Sequence, residues 1–181
     1  MTRIAEVAPE HATGAVSETY AAIARTLGRV PNMARVMGTQ PIYLDIYMMM
    51  RAKIAEGRLD ARIREAIAVT ISAENGCDYC EAAHATTAIR AFDTPGDEVD
   101  AWRCATSSDP ALAPVLALAR RLNETRGALE DGDLEAARAA GLSDADIIEV
   151  LGVVVMNIAT NYLNRLARTD LDFPSPQDVV K

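Results

Sequence analysis

The sequence predicts an all-α chain, and three observations predict it. No stretch alternates apolar and polar residues with the period of a strand. Aromatic residues make up only 4% of the chain, so Ala, Leu, Ile, Val and Met carry the apolar load, which suits packed helices. Apolar positions recur at helical spacing behind recognisable caps. The first predicted helix is 17–29, with Ser17 as N-cap, Tyr20, Ile23, Ala24 and Leu27 on one face, and Gly28 near its end. Pro31 and Asn32 mark a break, and 32–37 follows as a short helix. Pro41 opens a helix that is apolar nearly all round, through Ile42, Leu44, Ile46, Tyr47, Met48, Met49, Met50 and Ile54, and is expected to be buried. Its methionine run reads as core filling rather than as a cofactor contact.

Asp60 caps an apolar helix over 61–73 that carries Glu65 well inside it, and Asn75-Gly76 ends it. A helix over 77–91 follows, with Asn75 as its expected N-cap. Residues 93–110 are a polar connector holding a short helix around Trp102. Helices over 112–125, 134–140 and 144–169 complete the set, and the tail 170–181, with Pro174 and Pro176, is expected to be extended. The whole chain, 1–181, reads as a single domain. Within it a first helical unit spans about 17–92, a connector about 93–110 and a second unit about 111–169. The two units are related by an offset of 84, which superposes Asp60 on Asp144, Ala61 on Ala145, Ile63 on Ile147, Glu65 on Glu149 and Val69 on Val153. The same offset puts Cys77 on Asn161, Cys80 on Asn164 and His84 on Arg168.

Half of the 181 residues are apolar, enough for a sizeable core, and the formal net charge is −8. An acidic chain argues against nucleic-acid binding and against electrostatic docking on anionic lipid. The N-terminus mixes charges into its apolar residues and lacks a signal-peptide pattern, and the longest charge-free apolar run, 150–160, is short for a membrane span. Three cysteines are too few for a disulfide scaffold, so a cytoplasmic setting is expected and a close cysteine pair reads first as reactive or metal-binding.

That pair exists. Cys77, Cys80 and His84 fall within an arc of about 60° on one helix, since each residue turns about 100°. A helix N-terminus and a nearby imidazolium both favour a thiolate, and the Cys-x-x-Cys spacing lets one sulfur capture a sulfenic acid on the other. A hairpin at Asn75-Gly76 would bring Glu65 to His84, giving a proton path to the thiols. Glu65 is equally readable as a structural carboxylate paired with Arg62 or Arg64. Cys77, Cys80, His84 and Glu65 could alternatively bind zinc, or the two cysteines could be small core residues in a non-catalytic helical oligomer. Cys104, in the connector, reads as a bystander, and His11 receives no role. Tyr79 could line a pocket or face the core. Asn161 and Asn164 read as hydrogen-bonding ties between helices.

The spacing Glu-x11-Cys-x2-Cys-x3-His, as Glu65, Cys77, Cys80 and His84, resembles the alkylhydroperoxidase AhpD-like branch of the carboxymuconolactone decarboxylase family. Val30-Pro31-Asn32, Asn161-Tyr162-Leu163-Asn164-Arg165 and Asp172-Phe173-Pro174 are similar to its peroxidase-related subgroup. The resemblance implies an all-helical subunit in a homo-oligomer, a trimer, hexamer or dimer. It implies a hydroperoxide substrate attacked by Cys80, resolution by Cys77, and a Glu65–His84 proton relay. It implies no bound cofactor, with an external dithiol, a lipoyl or thioredoxin-like protein, as reductant. Tyr79 departs from the pattern, which has a histidine just before the second cysteine.

Overall fold

The computed structural model describes residues 2–175 and 178, and among these it contains helices and no strand. After a 3-10 turn at Pro9–His11 come α1 (Gly14–Leu27), α2 (Asn32–Met37), α3 (Pro41–Ala55), α4 (Ala61–Glu74), α5 (Asp78–Phe92), α6 (Gly96–Arg103), α7 (Ala113–Thr125), α8 (Asp131–Ala139) and α9 (Asp144–Ala167). The all-α expectation holds. Part of the expected extended tail, 176–177 and 179–181, lies outside the described residues; 170–175 carries no helix.

The differences from the sequence reading have local causes. α1 begins a turn before Ser17, with Thr13 as its N-cap, because Val16 is buried beside Tyr20 and Ile23 and extends their helical stripe. α8 begins at Asp131, because Glu130 and Asp133 form a reciprocal capping box. α3 is the larger correction: of its apolar residues only Leu44 is buried, while Ile42, Ile46 and Met49 stand exposed. It packs against α1, α2 and α9 along one side only, so its composition overstated its burial.

Two cores organise the fold. The larger surrounds α4, whose residues Ala66 to Ser72 are all buried, and it gathers Trp102 from α6, Leu116 and Leu122 from α7, and Val150 and Val153 from α9. Trp102 is fully buried and donates its indole N–H to Glu98 at 2.7 Å. The smaller core joins α1, α2 and α3 through Tyr20, Ile23, Ala34, Met37 and Leu44. Here the Tyr20 hydroxyl donates to backbone carbonyls of residues 7 and 34, and burial pushes its pKa up to about 12. Gly38 passes so close that a Cβ would collide with that hydroxyl. A third, small cluster of Cys77, Tyr79 and Cys80 packs on Met33 of α2 and Phe173 of the tail, where the two cores meet.

By length and composition alone, one described helix, α9, is long and apolar enough to cross a membrane. Its inner face is nevertheless built into the core and buries Asn157, Asn161 and Asn164, which hydrocarbon would not tolerate without partners.

Candidate active site

The site is made by the turn between α4 and α5. Asn75 ends α4 in the helical region and Gly76, at φ +62°, reverses the chain in a conformation that suits glycine. Asn75 is therefore the C-cap of α4 and not the N-cap of α5. Its side chain instead ties three helices, donating to Asn161 Oδ1 at 3.0 Å and accepting from Asn123 Nδ2 at 3.1 Å.

Cys77 takes the N-cap position, and its Sγ accepts the backbone N–H of Cys80 at 3.3 Å. Oxygen side chains usually hold this place because they offer an acceptor to the free N–H groups of the first turn. Sulfur in that position gains the same electrostatic support, which favours thiolate when the sulfur is reduced. Cys80 sits three residues on, with Cα–Cα 5.4 Å to Cys77, and the two are joined in a disulfide. Both are buried. On its other side the Cys80 sulfur accepts the Asn164 side-chain N–H at 3.3 Å.

The α4–α5 hairpin also brings together Glu65 and His84, as the spacing led us to expect. His84 Nδ1 lies 2.7 Å from Glu65 Oε2. Neither is sealed off, with 27% and 22% of their side chains exposed. Arg62 and Arg64 turn elsewhere: Arg64 bonds the carbonyl of Leu59, and Arg62 lies against Trp102 and toward Asp109.

Glu65, His84 and Cys80 line one cavity of about 610 Å³, together with Met33, Tyr47 and Met48 among others; Cys77 is not on its wall. One sulfur of the pair therefore faces the cavity and the other backs it. Tyr79 turns toward the mouth. Its hydroxyl accepts the Met33 N–H at 3.2 Å, its ring meets Phe173 edge-on at 5.7 Å, and burial pushes the phenol pKa up. Arg29 lies 4.6 Å over Phe173 and pairs with Asp172, which also accepts the Asn32 N–H at 2.9 Å.

Sequence reasoning missed this last assembly. The two short motifs around Asn32 and Phe173 are 140 residues apart, and their pairing could have been suspected only from Arg29 and Asp172 being complementary charges. It also treated Asn164 as a tie between helices, which is so, yet the atom it holds is the Cys80 sulfur. Cys104 is exposed and free, and His11 is exposed in the 3-10 turn; neither lines the cavity. No group of three or more His, Cys, Asp or Glu side chains among the described residues is arranged to hold a metal.

Residues 41–121, which contain all four chemical residues, match the model of the carboxymuconolactone decarboxylase family. An alkyl hydroperoxide reductase of Mycobacterium tuberculosis is 30% identical over 95 residues, 52% of this chain; the match spans only 28% of that relative's length. Two solved structures share the fold. One, described as an alkylhydroperoxidase AhpD core, is an uncharacterised peroxidase-related protein from Ralstonia eutropha JMP134. It superposes with a TM-score of 0.85 at 19% identity, over 94% of this chain and 92% of that one. The other, a cysteine-to-alanine variant of the debrominase Bmp8 in complex with 2,3,4-tribromopyrrole, gives 0.81 at 18% identity, over 99% and 96%. The chain therefore has the AhpD-like all-helical fold, and its residues 41–121, which hold the thiol pair, are similar to the carboxymuconolactone decarboxylase family.

Proposed function

We propose that the protein is a thiol-dependent hydroperoxide reductase, with Cys80 as attacking thiolate, Cys77 as resolving thiol and Glu65–His84 as proton relay. One observation carries the reading: Cys80 alone of the pair opens on an apolar cavity that also holds the Glu65–His84 pair. The Cys80 thiolate attacks the terminal oxygen of ROOH and the O–O bond breaks. The departing alkoxide takes a proton from His84, oriented by Glu65, and leaves as ROH. Cys80 now carries a sulfenic acid. The Cys77 sulfur bonds to it, and the hydroxyl leaves with the Cys77 proton as water. The resulting disulfide is returned to two thiols by exchange with an external dithiol, a lipoyl or thioredoxin-like protein, which is oxidised in turn. A cavity of this size and apolar character accommodates an organic hydroperoxide rather than hydrogen peroxide alone. The protein works as a homo-oligomer in the cytoplasm on this reading, where a reducing pool sustains the cycle.

The test is turnover of an organic hydroperoxide by reduced protein, with thiols counted by mass spectrometry in a Cys104→Ser background. Consumption of one peroxide per pair, with Cys77 and Cys80 joined and then restored by dihydrolipoamide, is expected. Cys80→Ser should lower turnover at least about a thousandfold, and Cys77→Ser should stop at a trappable sulfenic acid. Two thiols that remain free after peroxide would overturn the reading.

A second reading is supported by the fold shared with the debrominase over 99% of this chain. The same dithiol could reduce a carbon–bromine bond, giving R–H, bromide, a proton and the disulfide. Bromide release from 2,3,4-tribromopyrrole by a protein inert to hydroperoxides would select it.

A further inference from the structure

The wall of the cavity that holds the Cys80 sulfur also carries charge. Arg29, Arg51 and Arg90 line it, against the two carboxylates of Glu65 and Asp172. Both carboxylates are engaged, Glu65 with His84 and Asp172 with Arg29. Arg51 and Arg90 are left over, and neither guanidinium has an ion-pair or hydrogen-bond partner among the described residues. A chain of net charge −8 thus leaves two unneutralised cations at its reactive cavity. A concave wall focuses such a field on whatever enters it.

Helix geometry sets these cations apart from the sulfur. On α5 the wall residues Cys80, Ala83, His84, Thr87 and Arg90 follow spacings of three and four, which is one face of the helix. Arg90 therefore stands about 15 Å beyond Cys80 along the axis, at 1.5 Å per residue. On α3, Tyr47 and Arg51 are one turn apart on the same wall, with Met48 beside them. The rest of the wall is largely apolar, through Ile23, Leu27, Met33, Met48 and Met156. A reacting sulfur, an apolar wall and a pair of free guanidiniums in one cavity describe the shape of an amphiphile.

We propose that the cavity takes a hydroperoxide that also carries a carboxylate, with the peroxide at Cys80 and the carboxylate, across an apolar chain, at Arg51 and Arg90. This names the substrate class of the hydroperoxide reductase reading and rests on it. Guanidinium meets carboxylate in a two-pronged fork of charge-assisted hydrogen bonds, which fixes the far end of the substrate. An acidic protein docked over the mouth would also meet the arginines, but would leave the apolar wall unused. Both arginines are exposed, so water screens the contact and the preference it gives is about tenfold rather than a thousandfold.

The matched probes are ω-hydroperoxydodecanoate and its methyl ester, which share the reacting group and differ by one charge. The reduced protein should turn over the acid with kcat/KM roughly tenfold above the ester, a preference that shrinks as salt is raised. Arg51→Gln and Arg90→Gln should each lower the acid-to-ester preference, through KM rather than kcat, and the double variant should erase it. Dodecanoate, which has no peroxide, supplies a readout without turnover: by calorimetry it should bind the disulfide form of the wild type roughly tenfold more tightly than the double variant. Loss of peroxide consumption with that binding intact would overturn the reductase reading and leave the carboxylate site standing. Equal turnover of acid and ester, or dodecanoate binding indifferent to both substitutions, would overturn the proposal. So would a rise in KM for the reducing protein alone, which would assign the arginines to an acidic partner.

Discussion

The α4–α5 hairpin and α9 carry the same sequence register and do opposite things with it. From Asp60 and from Asp144 the chain runs through equivalent Ala, Ile, Glu and Val positions, 84 residues apart. Fifteen residues on, the first copy meets Asn75-Gly76 and turns, whereas the second meets Ala159-Thr160 and continues as one helix to Ala167. The turn is what creates a helix N-terminus at Cys77, and with it a place where sulfur is favoured as thiolate. The unbroken copy has no such terminus there, and its equivalents, Asn161 and Asn164, face back onto the first copy. Asn164 meets Cys80, its own register mate, and Asn161 meets Asn75 and Ser72. One copy holds the two sulfurs, and the other supplies the Asn164 amide N–H to the Cys80 sulfur.

The two glutamates separate in the same way. Glu65 faces His84, while Glu149 accepts the backbone N–H groups of Arg58 and Leu59 at 3.0 and 2.8 Å, just ahead of α4. Glu65→Gln should therefore lower hydroperoxide turnover by about 10²–10⁴-fold with little change in melting temperature. Glu149→Ala should do the reverse, costing about 2 kcal/mol in a denaturation curve while the reduced protein keeps its rate per folded molecule. Equal effects of the two on both readouts would erase the distinction.

Asn164→Ala sharpens the comparison at the sulfur itself. Losing the Asn164 side-chain N–H on the Cys80 sulfur should slow its alkylation in the reduced protein by roughly tenfold at neutral pH, because a hydrogen bond worth about 1.4 kcal/mol is a factor of ten. Unchanged alkylation would reduce Asn164 to packing. The smallest expected effect belongs to the turn: Gly76→Ala places a Cβ at φ +62°, with nothing near it, so conformational strain alone should cost about 1 kcal/mol in stability. A larger loss, or a loss of turnover without one of stability, would mean that the turn does more than reverse the chain.

Much of this was readable beforehand. Helix order followed from punctuation such as Asp60, which caps α4 through the Ile63 N–H. Those signals act within four residues, so the linear chain contains both partners. The Glu65–His84 contact was within reach too, because a tight turn between two helices leaves few registers. The burial of α3 was not, since an apolar residue such as Ile46 does not say whether its neighbour is the core or open surface. The capping role of Cys77 was missed because sulfur is an uncommon acceptor at that position.

What the sequence determined by itself was therefore local: an all-helical chain, and two thiols with an imidazole on one helical face, fixed by a turn angle of about 100° per residue. Tertiary structure decided which sulfur faces the cavity, which amide meets it, and how Arg29, Asn32, Asp172 and Phe173 close around Tyr79. These contacts join residues from 84 to 140 or more positions apart, and no local preference selects them. They form because burying the two cores leaves the buried sulfur, hydroxyl and carboxylate groups needing partners, and only the folded chain brings those partners within reach.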